Sequence, residues 1–291
     1  MRYQVIHETV YSYGSPVVLS QQLLHLTPRP LPFQAREAHR IAIDPVPGEI
    51  AEREDYFGNP VTQIVLAAPH SSLAVRPESR VTLHARAREA ELRARGAPWE
   101  PLRDRLRAAG SEALLEPVQY LFESPHADCF RDLALYANPS FSAGRNLPEA
   151  LLDLTRRIHA DFKFDPKATS VSTPLREVLA RRRGVCQDFA HFMIGCLRTL
   201  GLAARYVSGY VLTTPPPGKP RLVGADASHA WVSAWTGAGW LDLDPTNNCL
   251  VDVEHVTLAW GRDFSDVTPM RGVILGGGEQ ELEVRVTVTP L

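Results

Sequence analysis

Over the first ninety residues, apolar side chains recur at every second position, in "YQVIHETVYSY", "HRIAIDPV", "PVTQIVLAAP", "SSLAVRP" and "SRVTLHARA". A period of two belongs to strands that bury one face, and the Pro, Gly and Asn punctuation between the runs, as in "YFGNP", marks turns. Residues 1–90 are therefore expected to form a small antiparallel β domain. From residue 91 the pattern changes to Arg, Ala, Leu and Glu at helical spacing, with turns marked by Pro117, Pro125 and Pro139. Residues 91–145 read as a helical connector and 146–291 as a second domain of helices and strands. The class is α+β, and 291 residues suit two domains at roughly 150 residues each.

In the second domain, "LPEALLDLTRRIHADF" carries a stripe of Leu151, Leu154 or Thr155, Ile158 and Phe162, with Pro148 in the first turn of the helix. A second helix is expected over "TPLREVLARRRG", with Thr173 as its N-cap, Pro174 at its first position and Gly184 as its stop. A third helix starts at Cys186 and ends near Gly201. After it come strand-like "AARYVSGYVL", the proline-rich "TTPPPGKPRLVGADA", then "SHAWVSAW" and "WLDLDPT", and a final alternating strand in "EQELEVRVTVTP".

Composition narrows the function. Thirty-one basic residues against thirty-three acidic ones give a formal charge of −2, so no bulk attraction to nucleic acid or anionic membrane is expected. No apolar run approaches the roughly 20 residues that cross a bilayer. The N-terminal "MRYQVIHETVYSYG" alternates like a strand and lacks the apolar core of a secretory signal, which predicts a cytoplasmic protein. Cys129, Cys186, Cys196 and Cys249 show no CxxC spacing, which argues against a zinc ribbon or a disulfide framework. No cofactor or metal is expected.

Cys186 lies directly after Gly184-Val185 and opens a helix. The first turn of a helix favours a thiolate, because its backbone N–H groups lack intrahelical partners and the helix dipole is positive there. An inert packed cysteine is the alternative at this position. Downstream, alternation places His229, Trp231, Ser233 and Trp235 on one strand face. If "TGAG" closes a hairpin with Trp235 opposite Trp240, Ser233 faces Asp242 and Trp231 faces Asp244. Asp244 is then one diagonal step from His229, whereas Asp242 lies nearer the turn. Cysteine, histidine and aspartate together fit acyl transfer: thiolate attack, proton transfer by imidazole, and a carboxylate that orients the imidazole.

The segments "GVCQDFAHFMIGCLRTLGLAARYVSGY", "ASHAWVSAW" and "WLDLDPTNN" closely resemble the bacterial transglutaminase-like superfamily, which has a papain-like core. "YQVIHETVYSY", "LTPRP", "DYFGNPV" and "PHSSLAV" resemble the β domain that often precedes that core. The resemblance puts the nucleophile at Cys186, the general base at His229 and the orienting acid at Asp244. It implies a peptide, protein or small amide substrate opened through a thioester, by hydrolysis or by transfer to an amine. The rival is a binding module that keeps the fold without catalysis. Eukaryotic transglutaminases stabilise the oxyanion with a tryptophan upstream of the cysteine, and here no Trp lies between Trp99 and Trp231. The backbone N–H of Cys186 is one candidate donor. Asp188 is expected only to complement the helix dipole, His191 only to pack, and residues 213–227 to form a surface loop that shapes substrate choice or merely connects.

Overall fold

The computed structural model of the chain describes residues 1–86, 96–213 and 228–291. The alternating N-terminal runs form five antiparallel strands: β1 (Arg2–Leu24), β2 (Gln34–Asp44), β3 (Glu49–Glu54), β4 (Pro60–Leu66) and β5 (His70–Leu83). They pair in the order β2-β5-β1-β4-β3. Tyr3 and Val5 on β1 and Val81 and Leu83 on β5 turn to the core, which is the face that the period-two pattern marks.

Short helices follow, α1 (Trp99–Ala108), α2 (Leu115–Val118) and α3 (Arg131–Ala137), and then the longer α4 (Leu147–Asp161). Leu151, Leu154, Thr155 and Ile158 on α4 are buried as their spacing predicts. The two-residue strands β6 (Lys163–Phe164) and β7 (Arg183–Gly184) flank α5 (Leu175–Arg181). Here the structure corrects two expectations. Thr173 does not cap α5, because its hydroxyl accepts the Ser170 N–H instead, and Pro174 occupies the N-cap. The helix stops at Arg182, which adopts φ +52°, not at Gly184. Gly184 serves another purpose: a Cβ there would lie 2.5 Å from Asp188 Oδ2, so glycine makes room for a carboxylate folded back over the chain.

The next helix, α6 (Cys186–Thr199), is buried all round from Asp188 to Arg198 and forms the centre of the second half. It packs on a five-stranded antiparallel sheet built from β8 (Ala204–Val211), β9 (Ser228–Trp235), β10 (Trp240–Asp244), β11 (Cys249–Leu250) and β12 (His255–Gly261). The order is β11-β10-β9-β8-β12. The β9–β10 register is the one that the "TGAG" turn predicts, with Trp240 opposite Trp235 and Asp242 opposite Ser233. Gly209 on β8 admits the Trp231 ring, because a Cβ would lie 2.5 Å from the indole and 2.1 Å from the Val256 carbonyl oxygen.

A short α7 (Phe264–Val267) leads to β13 (Met270–Gly276) and β14 (Gln280–Pro290). Both pair with β1, β14 over the register Tyr3↔Pro290 to Tyr13↔Gln280. The closing strand of the 146–291 segment thus completes the N-terminal sheet and does not extend the second one. Val286 and Val288 join the same core as α4 and α6, so one apolar interior spans both sheets.

Side-chain amides seat the N-terminal sheet on the outer strand of the second one. Gln34 donates to the Thr257 carbonyl at 2.7 Å and accepts the Thr257 N–H at 2.8 Å. Asn59 treats Trp260 in the same way, at 2.8 and 2.9 Å. Each amide supplies the donor–acceptor pair that another strand would offer the edge of β12. His7 bridges the sheets as well, its Nδ1 lying 2.9 Å from the Tyr210 hydroxyl.

Candidate active site

Cys186 is the first residue of α6, so its N–H has no intrahelical carbonyl to bond. The turn before it is held by Asp188, whose Oδ2 accepts the Val185 N–H at 2.7 Å and the Thr169 hydroxyl at 2.6 Å. Asp188 therefore organises the helix start, in keeping with the dipole role read from its position. His191 faces elsewhere: its Nε2 accepts the Phe264 N–H at 3.1 Å and its ring stacks on His126. Burial lowers the His191 pKa to about 3, which keeps the ring neutral.

His229, at the start of β9, is buried and lies between the other two candidates. Its Nε2 is 2.7 Å from Asp244 Oδ2, and the ring also interacts with the Cys186 side chain. With Nε2 occupied by the carboxylate, Nδ1 is the nitrogen left for the thiol. Burial opposes charging the imidazole, but Asp244 and Cys186 outweigh it and raise the His229 pKa to about 10. The imidazolium form is thereby favoured across the neutral range.

Asp244 is fully buried at the end of β10. Its Oδ1 accepts the N–H groups of Thr246 and Asn247 at 2.9 and 3.0 Å. Its Oδ2 accepts from Asn247 Nδ2 at 2.7 Å and faces His255 Nε2 at 3.1 Å in addition to His229. Burial alone would raise the carboxyl pKa, but the two histidines hold it far below the usual range. Asp242, one pair nearer the turn, bonds instead to Arg86 at 2.5 Å. The three residues singled out in the sequence thus meet at one point, and Asp242 stands apart from them.

Asn247 and His255 escaped the sequence reading. Asn247 lies three residues past Asp244 in "DPTNN" and had a local signal, since an aspartate that bonds the backbone two and three residues ahead shapes a turn. His255 had none, because it reaches Asp244 only through the pairing of β12 with β8. Its Nε2 and that of His229 face the same carboxylate oxygen, which suits it to position Asp244. Replacing His255 by phenylalanine keeps the ring and removes the N–H. The expected result is a kcat lowered roughly tenfold, about the worth of one hydrogen bond to a charged group, with KM unchanged. Steady-state kinetics on the full chain checks this, and a loss confined to KM would contradict the role.

The ligand atoms of His229, Asp244 and His255 lie within 4.8 Å of one another, close enough for one divalent ion to bridge. Both Nε2 atoms face Asp244 Oδ2 at hydrogen-bond distance, 2.7 and 3.1 Å. Among the thiols, burial raises the pKa of Cys249 to about 12 and pushes those of Cys196 and Cys129 up as well.

Two family profiles match this arrangement. The bacterial transglutaminase-like N-terminal region covers residues 3–82, and the transglutaminase-like superfamily core covers residues 137–245, which include Cys186, His229 and Asp244. An uncharacterized protein of Mycobacterium tuberculosis is 41% identical over 99% of this chain and 93% of its own length. The chain belongs to the transglutaminase-like superfamily. A second uncharacterized relative, from Mycobacterium leprae, is 32% identical over all of this chain and 99% of its own length. Among solved structures, a candidate cysteine protease from Cytophaga hutchinsonii shares the transglutaminase-like fold. It superposes with a TM-score of 0.78 at 20% identity, over 99% of this chain and 90% of that one. A protein-glutamine gamma-glutamyltransferase of Pseudomonas aeruginosa is 36% identical over 34% of this chain and 16% of its own length. Among the described residues, no helix is long and apolar enough to cross a membrane.

Proposed function

We propose that this transglutaminase-like protein is a cysteine-dependent acyl-transfer enzyme that opens an amide or peptide bond through a thioester on Cys186. The observation that carries the reading is His229, hydrogen-bonded to Asp244 and electrostatically linked to Cys186. In the first half-reaction the Cys186 sulfur attacks the carbonyl carbon and a C–S bond forms. The carbonyl oxygen takes the negative charge beside the Cys186 N–H. As the C–N bond breaks, the His229 imidazolium gives its proton to the departing amine. Water then attacks the thioester while His229 removes its proton, the C–S bond breaks, and the acid leaves.

An amine in place of water would give transamidation by the same steps. Water is the preferred acceptor in this reading, as the simpler of the two. The gamma-glutamyltransferase relative supports the amine route only through its short match. Incubating the full chain with a peptide and amide library, with and without a primary amine, separates the routes. Hydrolysed products are expected from the parent protein and none from Cys186→Ala. Amine incorporation in excess of hydrolysis would reverse the choice of acceptor. The expected role of residues 213–227 in substrate choice lies outside the described residues, apart from Thr213.

A further inference from the structure

Strand β14 closes one side of the N-terminal sheet, and among the described residues it pairs with β1 alone. Its register on β1 is unbroken from Gln280 to Pro290, so no bulge turns its second edge away. The backbone N–H and C=O groups along such an edge are a template for another strand. Leu282 and Val284 add apolar side chains to it and are 55% and 47% exposed.

The side chains of the strand decide what fits beside it. They alternate, with Glu281, Glu283 and Arg285 on one face and Leu282, Val284 and Val286 on the other. Charges on an edge ordinarily discourage a second strand. Here they have both signs, and antiparallel pairing of two copies of the strand about a two-fold axis at Val284 makes them complementary. Glu283 of each copy then lies opposite Arg285 of the other, Val284 meets Val284, and Leu282 lies opposite Val286. Axes at neighbouring residues fail: one at Glu283 sets that carboxylate against its own copy, one at Leu282 sets Glu281 against Glu283, and one at Arg285 opposes two guanidiniums. Within its own chain Arg285 touches Glu283 at 2.6 Å and lies 3.8 Å from Glu8. Its side chain is 58% exposed, so these contacts hold it weakly and leave room for a second carboxylate.

We propose that the chain forms a two-fold dimer through β14, in which the N-terminal sheets of two copies join into one continuous sheet. The paired segment runs from Leu282 to Val286 in each copy. On one face, Glu283 and Arg285 of the two copies form a square of four charges that alternate in sign. On the other, Leu282 and Val284 gain apolar neighbours across the axis. A two-fold interface requires the same patch on both copies, which a self-complementary strand supplies. The contact is small, so the dimer forms and dissociates reversibly. It does not depend on the reaction proposed above, because none of its residues belongs to α6 or to the second sheet.

Sedimentation velocity of the full chain, from micromolar to millimolar concentration, tests the dimer. The parent is expected to pass from monomer to dimer across that range. Glu283→Arg and Arg285→Glu each oppose like charges in both cross-strand pairs, and each should raise the dissociation constant at least roughly tenfold. Both side chains are exposed, so the variants should match the parent in circular dichroism. Mixing the two variants in equal amounts should restore a dimer, because every charge then faces its opposite across the axis. The double variant Glu283→Arg/Arg285→Glu should dimerise as the parent does. These two rescues distinguish the register at Val284 from a general loss of stability or of solubility. A parent that stays monomeric throughout would overturn the proposal. A dimer that withstands either single reversal would place the contact elsewhere and overturn it too, as would a mixture or a double variant that remains monomeric.

Discussion

Cys186→Ala is expected to abolish turnover while the protein folds and melts as the parent does. The substitution removes one sulfur from a half-exposed position at a helix start, a small loss of packing beside the fully buried interior of α6. The chemistry, by contrast, loses the atom that forms the acyl bond, and losing a nucleophile costs orders of magnitude. An electrophilic amide analogue followed by peptide mapping provides the direct check. Label is expected on Cys186 and not on Cys196 or Cys249, whose thiols burial pushes toward the neutral form. Preferential labelling of either would remove Cys186 from its role. An inert, packed Cys186 would give no label on that residue, and the binding-module alternative would then stand.

Asp244→Asn is expected to lower kcat/KM by about 10⁴-fold, by analogy with amidation of a triad aspartate elsewhere. Asp242→Asn should cost far less, since that carboxylate pairs with Arg86 and not with the imidazole. The pH profile gives an independent reading of the same contact. The His229 pKa is raised from 6.5 to about 10, in part through Asp244, so the group adds stability that is full below pH 6.5 and is lost as pH rises through about 10. The alkaline limb of kcat/KM is expected near the upper value in the parent. In Asp244→Asn it should move toward neutrality, and the dependence of stability on pH between those values should flatten. Equal losses in the two variants, or a limb that does not move, would separate His229 from Asp244.

What could be read from the sequence was what short-range rules determine. The β9–β10 register follows from alternation and a four-residue turn, so Asp244 could be preferred to Asp242 before any coordinates. The helix start at Cys186 is local in the same sense, as are the buried stripe of α4 and the packing role of His191. Gly184 was misread because a glycine after an arginine run looks like a helix stop, whereas its use is close approach to a side chain four residues ahead. His255 reaches Asp244 only through a separate strand pairing, and Gln34 and Asn59 reach β12 across more than two hundred residues. No periodicity reports those. The motifs "LTPRP" and "DYFGNPV" gain a physical meaning only here: Arg29 bonds to Asn59 and lies over Trp260, fixing the amide that seats one sheet on the other.

The closing of β14 along β1 bears on how the chain is made. During synthesis, Arg2–Leu24 leaves the ribosome long before Gln280–Pro290 exists. The N-terminal sheet therefore waits with one side of its longest strand unpaired until Met270–Pro290 has emerged. Such an edge is open to other chains, and contacts so distant along the sequence slow the final closure. A fragment cut after residue 90 would keep that exposed edge permanently, and a fragment lacking the first ninety residues would leave β13 and β14 with no strand to join. The two halves match separate sequence families but share one sheet, in which β13 and β14 seal β1.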